Sequence, residues 1–213
     1  MRLLYFADPM CSWCYGFGPE LRRLLAGRPG YELQLVMGGL RPFNREPMSE
    51  AFREMLQGHW THVAQASGLP LDPGALSLEG FVYDTEPACR AVVTARSIDA
   101  AKAFDYYGAV QAAFYRDARD VTREETLEAI ARDVGYDESL FAATLRSEPA
   151  RRVTLGDFEM SQKLGVAGFP TLAVGYGNDL YLVTSGYVTT DVLEHRLDEI
   201  DRRLQQGTPG AAS

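Results

Sequence analysis

Cys11 and Cys14 flank Ser12 and Trp13, directly after an apolar run at residues 3–7 and directly before a stretch with helical periodicity. Two thiols one helical turn apart can interconvert with a disulfide. At the first turn of a helix, unpaired backbone N–H groups and the positive end of the macrodipole favour an anion, here a thiolate on Cys11. Cys14 is spaced to close a bond with it. The competing chemistry is half of a zinc site completed by His59 and His62. That pair lies inside a predicted helix, with a spacing poorly suited to structural zinc, so no metal site is expected.

The elements around the thiols make the redox reading concrete. Residues 3–7 read as a buried strand, and Phe17, Leu21, Leu24 and Leu25 share one helical face. Residues 31–37 alternate as a second strand before Gly38 and Gly39, giving a strand-helix-strand unit of the kind that builds parallel sheet. Helical patterns dominate residues 41–164. One helix spans 49–66, a loop rich in Gly and Pro spans 68–84, and another helix opens at Thr85 and Pro87. Asp99 is expected to cap a third. Thr122-Arg123-Glu124-Glu125 matches a capping box, Asp137 starts a short helix, and a longer one runs from Pro149 to Leu164. Two strands, 171–174 and 180–183, are joined as a hairpin, and Thr189 or Thr190 caps a last helix carrying Leu193, Leu197, Ile200 and Leu204.

The 213 residues include 21 basic and 29 acidic side chains, for a net charge of -8, which argues against a nucleic-acid partner. No segment has the length of a membrane span and the N-terminus does not read as a secretory leader, so a cytoplasmic address is expected. Three cysteines exclude a disulfide scaffold. Cys89 shares a helical stripe with Val92 and Val93 and reads as a buried small hydrophobe. Arg90 and Arg96 are either solvated or paired.

The order of elements, with C-x-x-C after the first strand, resembles the DsbA-like family: a thioredoxin-like α/β fold carrying an inserted helical domain. The run Asp8-Pro9-Met10-Cys11-Ser12-Trp13-Cys14-Tyr15 is similar to the FrnE-type, predicted disulfide isomerase branch with its C-x-W-C motif. Gly165-Val166-Ala167-Gly168-Phe169-Pro170-Thr171 is similar to the family loop that carries a cis-proline. The resemblance implies a thioredoxin-like domain from residues 1–40 and 165–206, a helical insertion at 41–164 and a flexible tail at 207–213.

It also implies a thiol:disulfide oxidoreductase. Cys11 and Cys14 would be catalytic, with Ser12, Trp13 and Pro170 tuning the site. Phe169, Pro170, Trp13 and Tyr15 would bind substrate, the Phe169 backbone offering an edge for strand addition. No bound cofactor is expected, with glutathione a candidate co-substrate and a disulfide-containing protein or small-molecule thiol the partner. Thioredoxin and DsbA carry an acid six positions before the first cysteine, where this chain has Tyr5; Asp8 and Glu20 are the nearest acidic substitutes. The alternatives are a glutathione-dependent isomerase or kappa-class-like transferase on the same fold, which usually lacks the second cysteine, and a non-catalytic binding module or holdase.

Overall fold

A computed structural model describes residues 1–207. The tail expected at 207–213 lies outside the described residues from position 208 onward, and Gly207 ends the last helix. Strand β1 (Arg2–Ala7), helix α1 (Ser12–Gly27) and strand β2 (Glu32–Met37) open the chain. Six helices follow: α2 (Glu50–Ser67), α3 (Glu86–Ile98), α4 (Ala103–Tyr115), α5 (Glu124–Val134), α6 (Glu138–Leu145) and α7 (Glu148–Lys163), with a 3-10 turn at Pro73–Ser77. The chain then returns through strands β3 (Thr171–Tyr176) and β4 (Asp179–Ser185) to helix α8 (Thr190–Gly207).

The four strands lie in the order β2-β1-β3-β4. β1 pairs parallel with β2, placing Ala7 opposite Met37, and antiparallel with β3, placing Phe6 opposite Thr171. β1 is therefore central and covered on both faces, which is why it reads as an uninterrupted apolar run. Its alternate side chains serve two layers. Leu3, Tyr5 and Ala7 join the large core with α1 and the helical block, whereas Leu4 and Phe6 join a smaller cluster with Val36, Ala173 and Met160 of α7.

Two helix starts differ from the sequence reading. Asp99 ends α3 rather than opening α4: its carboxylate accepts from the Ala101 N–H at 3.1 Å in a local turn, and α4 begins at Ala103. Thr122 makes no capping box, because its hydroxyl is held by Asp120 at 2.6 Å and the N-cap of α5 is Arg123. In each case a carboxylate bonds a group two residues further along in a local turn, in place of the cap the spacing suggested.

Glu20 joins α1 to α8. Its carboxylate accepts from the Thr190 N–H at 2.7 Å and hydroxyl at 2.6 Å, and from Arg23 at 2.9 Å. Burial raises its pKa, but the bonds from Thr190 and Arg23 outweigh burial and leave it below the ordinary range. The stabilisation from this junction is therefore present above the ordinary glutamate range and lost as pH falls through the lowered value. Glu20 is thus a structural acid. Arg90 and Arg96, open between solvated and paired, are both paired: Arg90 is buried against Glu86 at 2.8 Å and the Leu145 carbonyl, and Arg96 grips both oxygens of Asp157 at 2.9 and 3.0 Å.

Candidate functional site

The turn from β1 into α1 is built by Asp8. One carboxylate oxygen accepts from the Met10 N–H at 2.8 Å, and the Asp8 carbonyl accepts from the Cys11 N–H at 3.1 Å. The buried Tyr83 hydroxyl, from the loop before α3, donates to the Met10 carbonyl. Cys11 is thereby fixed as the N-cap of α1, with extended backbone at φ -92° and ψ 116°. Its thiol makes no cap hydrogen bond to the helix. Cys11 is 6% exposed and Cys14 is fully enclosed, so of the two only Cys11 can meet a substrate. Both are free thiols.

The opposite wall is the segment between α7 and β3. The Phe169–Pro170 peptide is cis, and the Phe169 carbonyl accepts from the Cys11 thiol at 3.5 Å. Pro170 itself is buried, and its carbonyl accepts from the Gly186 N–H at 2.7 Å. Gly38 seats the Phe169 ring: a methyl group at position 38 would lie 1.9 Å from the ring's Cζ. Gly38, read from sequence as part of a turn, is therefore also the cradle of a residue 131 positions later, while Gly39 lies against Phe158.

A cleft of about 430 Å³ opens over Cys11, lined by Ser12, Trp13, Arg41, Phe52, His59 and Phe169 among others. That volume suits a small ligand. The half-buried Trp13 packs on Tyr187 at 5.7 Å. Tyr15 does not line the cleft. It stacks on Tyr115 at 5.0 Å and donates to the Pro70 carbonyl at 3.3 Å, because its position on α1 faces the helical block, and the expectation of substrate contact is corrected accordingly. His59 reaches the rim, whereas His62 is exposed and does not line the cleft. Among the described residues, no group of three or more His, Cys, Asp or Glu side chains could hold a metal ion.

Behind Cys14 lies a layer of hydroxyls rather than an acid. The Tyr5 hydroxyl stands 3.5 Å from the Cys14 carbonyl and 3.4 Å from the Tyr107 hydroxyl, which in turn receives the Gln111 amide at 3.0 Å. All four residues are buried. Burial, followed by the hydrogen bond and charge of Cys11, pushes the Cys14 thiol well above the ordinary range, while the Tyr5 hydroxyl acts in the opposite direction. Tyr5 is itself pushed far up, first by burial and then by the charge of Cys14. It can donate a hydrogen bond to a Cys14 thiolate but cannot serve as a base near neutral pH. Sequence reading marked Tyr5 as the missing acid; its partners Tyr107 and Gln111 lie about a hundred residues away and carry no motif.

Asp8 is occupied elsewhere. Its second oxygen accepts from the Leu40 N–H at 2.7 Å and from the Cys89 thiol at 3.3 Å, so Cys89 is both a core residue and a hydrogen-bond donor. Burial raises the Asp8 pKa, with the bonds from Leu40 and Met10 opposing. A carboxyl raised in the folded state stabilises most below its unfolded value and loses that contribution as pH rises through the folded value. Asp8→Asn exchanges one acceptor oxygen for an amide facing a donor, and is expected to cost about 1–3 kcal/mol. In urea unfolding from pH 4 to pH 8, the stability gap between wild type and variant should narrow as pH rises. A gap that widens would contradict this placement of Asp8.

The family profile of the DSBA-like thioredoxin domain matches residues 2–198. The chain belongs to that family. A DsbA-like structure from Nitrosomonas europaea, described provisionally as a protein disulfide isomerase, is 37% identical, with a TM-score of 0.89 over 97% of this chain and 98% of its own. The cytosolic disulfide reductase DsbM from Pseudomonas aeruginosa is 25% identical, with a TM-score of 0.79 over 97% and 100% of the two chains. A second DsbM structure, with GSH, is 26% identical, with a TM-score of 0.77 over 96% and 100%. A curated relative, the ClpXP adapter protein SpxH of Halalkalibacterium halodurans, is 23% identical over 80% of this chain, and this DsbA-like chain spans only 57% of the relative's length. The four-stranded sheet with its inserted helices is thus the DsbA-like form of the thioredoxin fold, and the neighbours support thiol:disulfide oxidoreductase chemistry in general.

Proposed function

We propose that this protein is a cytoplasmic thiol:disulfide oxidoreductase working in the reductive direction, with Cys11 as nucleophile and Cys14 as resolving thiol. The observation that carries the reading is the Cys11 thiol at the N-cap of α1, 3.5 Å from the Phe169 carbonyl, with Cys14 enclosed one turn behind it. Cys11 thiolate attacks a substrate disulfide and expels one thiolate, leaving a mixed disulfide. Cys14, deprotonated, attacks the Cys11 sulfur, releases the second thiolate and leaves the Cys11–Cys14 disulfide; two external thiols then return the pair to the dithiol.

The electrostatics order these steps. While Cys11 is a free thiolate, its charge and hydrogen bond help hold the proton on Cys14. Capping Cys11 as a mixed disulfide removes that charge, and Cys14 ionises more readily when its attack is due. The direction is supported by the likeness to a cytosolic disulfide reductase, and the relation to a structure with GSH supports glutathione as the external thiol. Placement in the FrnE-type branch rests on the resemblance of the run Asp8-Pro9-Met10-Cys11-Ser12-Trp13-Cys14-Tyr15.

The test is to supply the protein with glutathione and either a small disulfide or an electrophile. Thiol-dependent reduction of the disulfide without conjugation of the electrophile is expected. Conjugation without disulfide turnover would make it a transferase. An adapter role, suggested by the SpxH relatives, would be favoured if Cys11→Ser left a binding function intact and no redox turnover were found.

A further inference from the structure

The cleft over Cys11 contains a cation with no carboxylate to answer it. Among the described residues, Arg41 has no ion pair and no side-chain hydrogen bond, and its Nε is shielded from solvent without a partner. Its guanidinium lies over the Phe52 ring, 4.6 Å from the centroid, and it is the one guanidinium lining the cleft. Its position is held firmly: the Arg41 N–H donates to the Thr85 hydroxyl at 3.1 Å, and its carbonyl accepts from the Thr85 N–H at 3.2 Å.

The two acids of the adjoining loops that are not exposed, Asp8 and Asp84, are hydrogen-bonded elsewhere. Asp8 takes the Met10 and Leu40 N–H groups and the Cys89 thiol, and Asp84 takes the N–H groups of Phe43 and Glu86. Arg22, Arg90, Arg96 and Arg146 have found acidic partners, whereas Arg53, whose Nε is likewise shielded and unpartnered, does not line the cleft. The Phe52 ring offsets part of the desolvation of this half-buried guanidinium, but among the described residues no carboxylate pairs with it, and it lines the same cleft as the thiol that meets the substrate.

We propose that Arg41 reads a carboxylate on the thiol partner, so that the cleft selects small anionic thiols such as glutathione over neutral or cationic ones. The inference rests on the reading of Cys11 as the reacting thiol. With the sulfur of the bound thiolate at Cys11 and its carboxylate at Arg41, the thiolate attacks the Cys11 sulfur of the Cys11–Cys14 disulfide. A new S–S bond forms to Cys11, and the electron pair leaves on Cys14, which takes a proton. A second thiolate attacks the small-molecule sulfur of this mixed disulfide and expels Cys11 thiolate. Two thiols are oxidised to one small disulfide, and one protein disulfide is reduced.

The test compares the rates at which glutathione, 2-mercaptoethanol and cysteamine reduce the oxidised full-length protein, read by alkylation and mass, in wild type, Arg41→Gln and Arg41→Lys. A partly exposed charge-assisted contact is expected to lower the glutathione-to-mercaptoethanol rate ratio about tenfold in Arg41→Gln. Arg41→Lys, which keeps the charge, should hold the ratio within about threefold of wild type, and the cysteamine-to-mercaptoethanol ratio should rise in Arg41→Gln. An unchanged glutathione ratio in Arg41→Gln would overturn the assignment. If no protein, wild type included, is reduced by mercaptoethanol, the redox reading of Cys11 fails first and the inference falls with it.

Discussion

Cys14→Ser is expected to stall as a mixed disulfide, whereas Cys11→Ser is expected not to react at all. The difference follows from exposure. Cys11 presents its sulfur to the cleft beside the Phe169 carbonyl, while Cys14 is enclosed and has no path to an external disulfide. In the Cys14→Ser variant the first attack proceeds, but no internal nucleophile releases the product, so mass spectrometry after mixing with a small disulfide should show one adduct per chain, on Cys11. Steady-state turnover should fall at least about a thousandfold in Cys11→Ser, whereas Cys14→Ser should turn over only as fast as an external thiol clears the adduct from Cys11. Adduct formation by Cys11→Ser at the wild-type rate would reverse the two roles. Cys89 should not substitute, since it is buried and its thiol is bound to Asp8.

Tyr5→Phe is expected to slow the second step and spare the first. The substitution keeps the ring and its packing against Phe17 and Tyr107, at 5.7 and 5.9 Å, and removes the one hydroxyl that favours ionisation of Cys14. A buried hydrogen bond to a charged group contributes about 1.5–3 kcal/mol, so release from the mixed disulfide should slow about tenfold or more at neutral pH. The sign is fixed by the direction of the Cys14 shift. Because burial raises it even when Cys11 is capped, resolution should accelerate with pH in wild type, and loss of the Tyr5 donor should move that profile to higher pH. A stopped-flow measurement of product release across pH 6–10 separates this from a packing defect, which would lower the rate without displacing the profile.

What was legible in the sequence was local. A strand covered on both faces, a C-x-x-C at the following turn and a Gly-Pro loop ahead of a hairpin each carry their signal within ten residues, and their contact across the cleft followed from the family resemblance. The helix start at Ala103 and the cap at Arg123 were misread because Asp99 and Asp120 make short-range bonds that compete with capping. Tyr15 was misassigned because α1 is enclosed by α2, α4 and α8, so that more than one of its faces is apolar and periodicity cannot say which one borders the cleft. The chemistry that distinguishes this protein is non-local. Tyr5 meets Tyr107, Gly38 seats Phe169 and Arg41 is pinned by Thr85, and each pairing joins residues more than forty positions apart that bear no motif.

This division has a physical basis. The thioredoxin-like elements supply the nucleophile and the backbone edge, which any member of the fold must position. The inserted helices supply Tyr107, Gln111, Phe52 and His59, and the flanking loops supply Arg41 and Tyr83. In the proposed reaction these residues would set proton supply and ligand charge, and those on the helices are placed by the packing of α2 and α4 against α1.

The central claim, that Cys11 and Cys14 form one reversible redox couple, is tested most directly by equilibrating the protein with glutathione buffers of graded ratio, quenching with an alkylating agent and counting free thiols by mass. The expected result is a single transition in which two thiols disappear together, mapped to Cys11 and Cys14, with Cys89 alkylated only after unfolding in every sample. A series in which no Cys11–Cys14 disulfide forms at any ratio would contradict it.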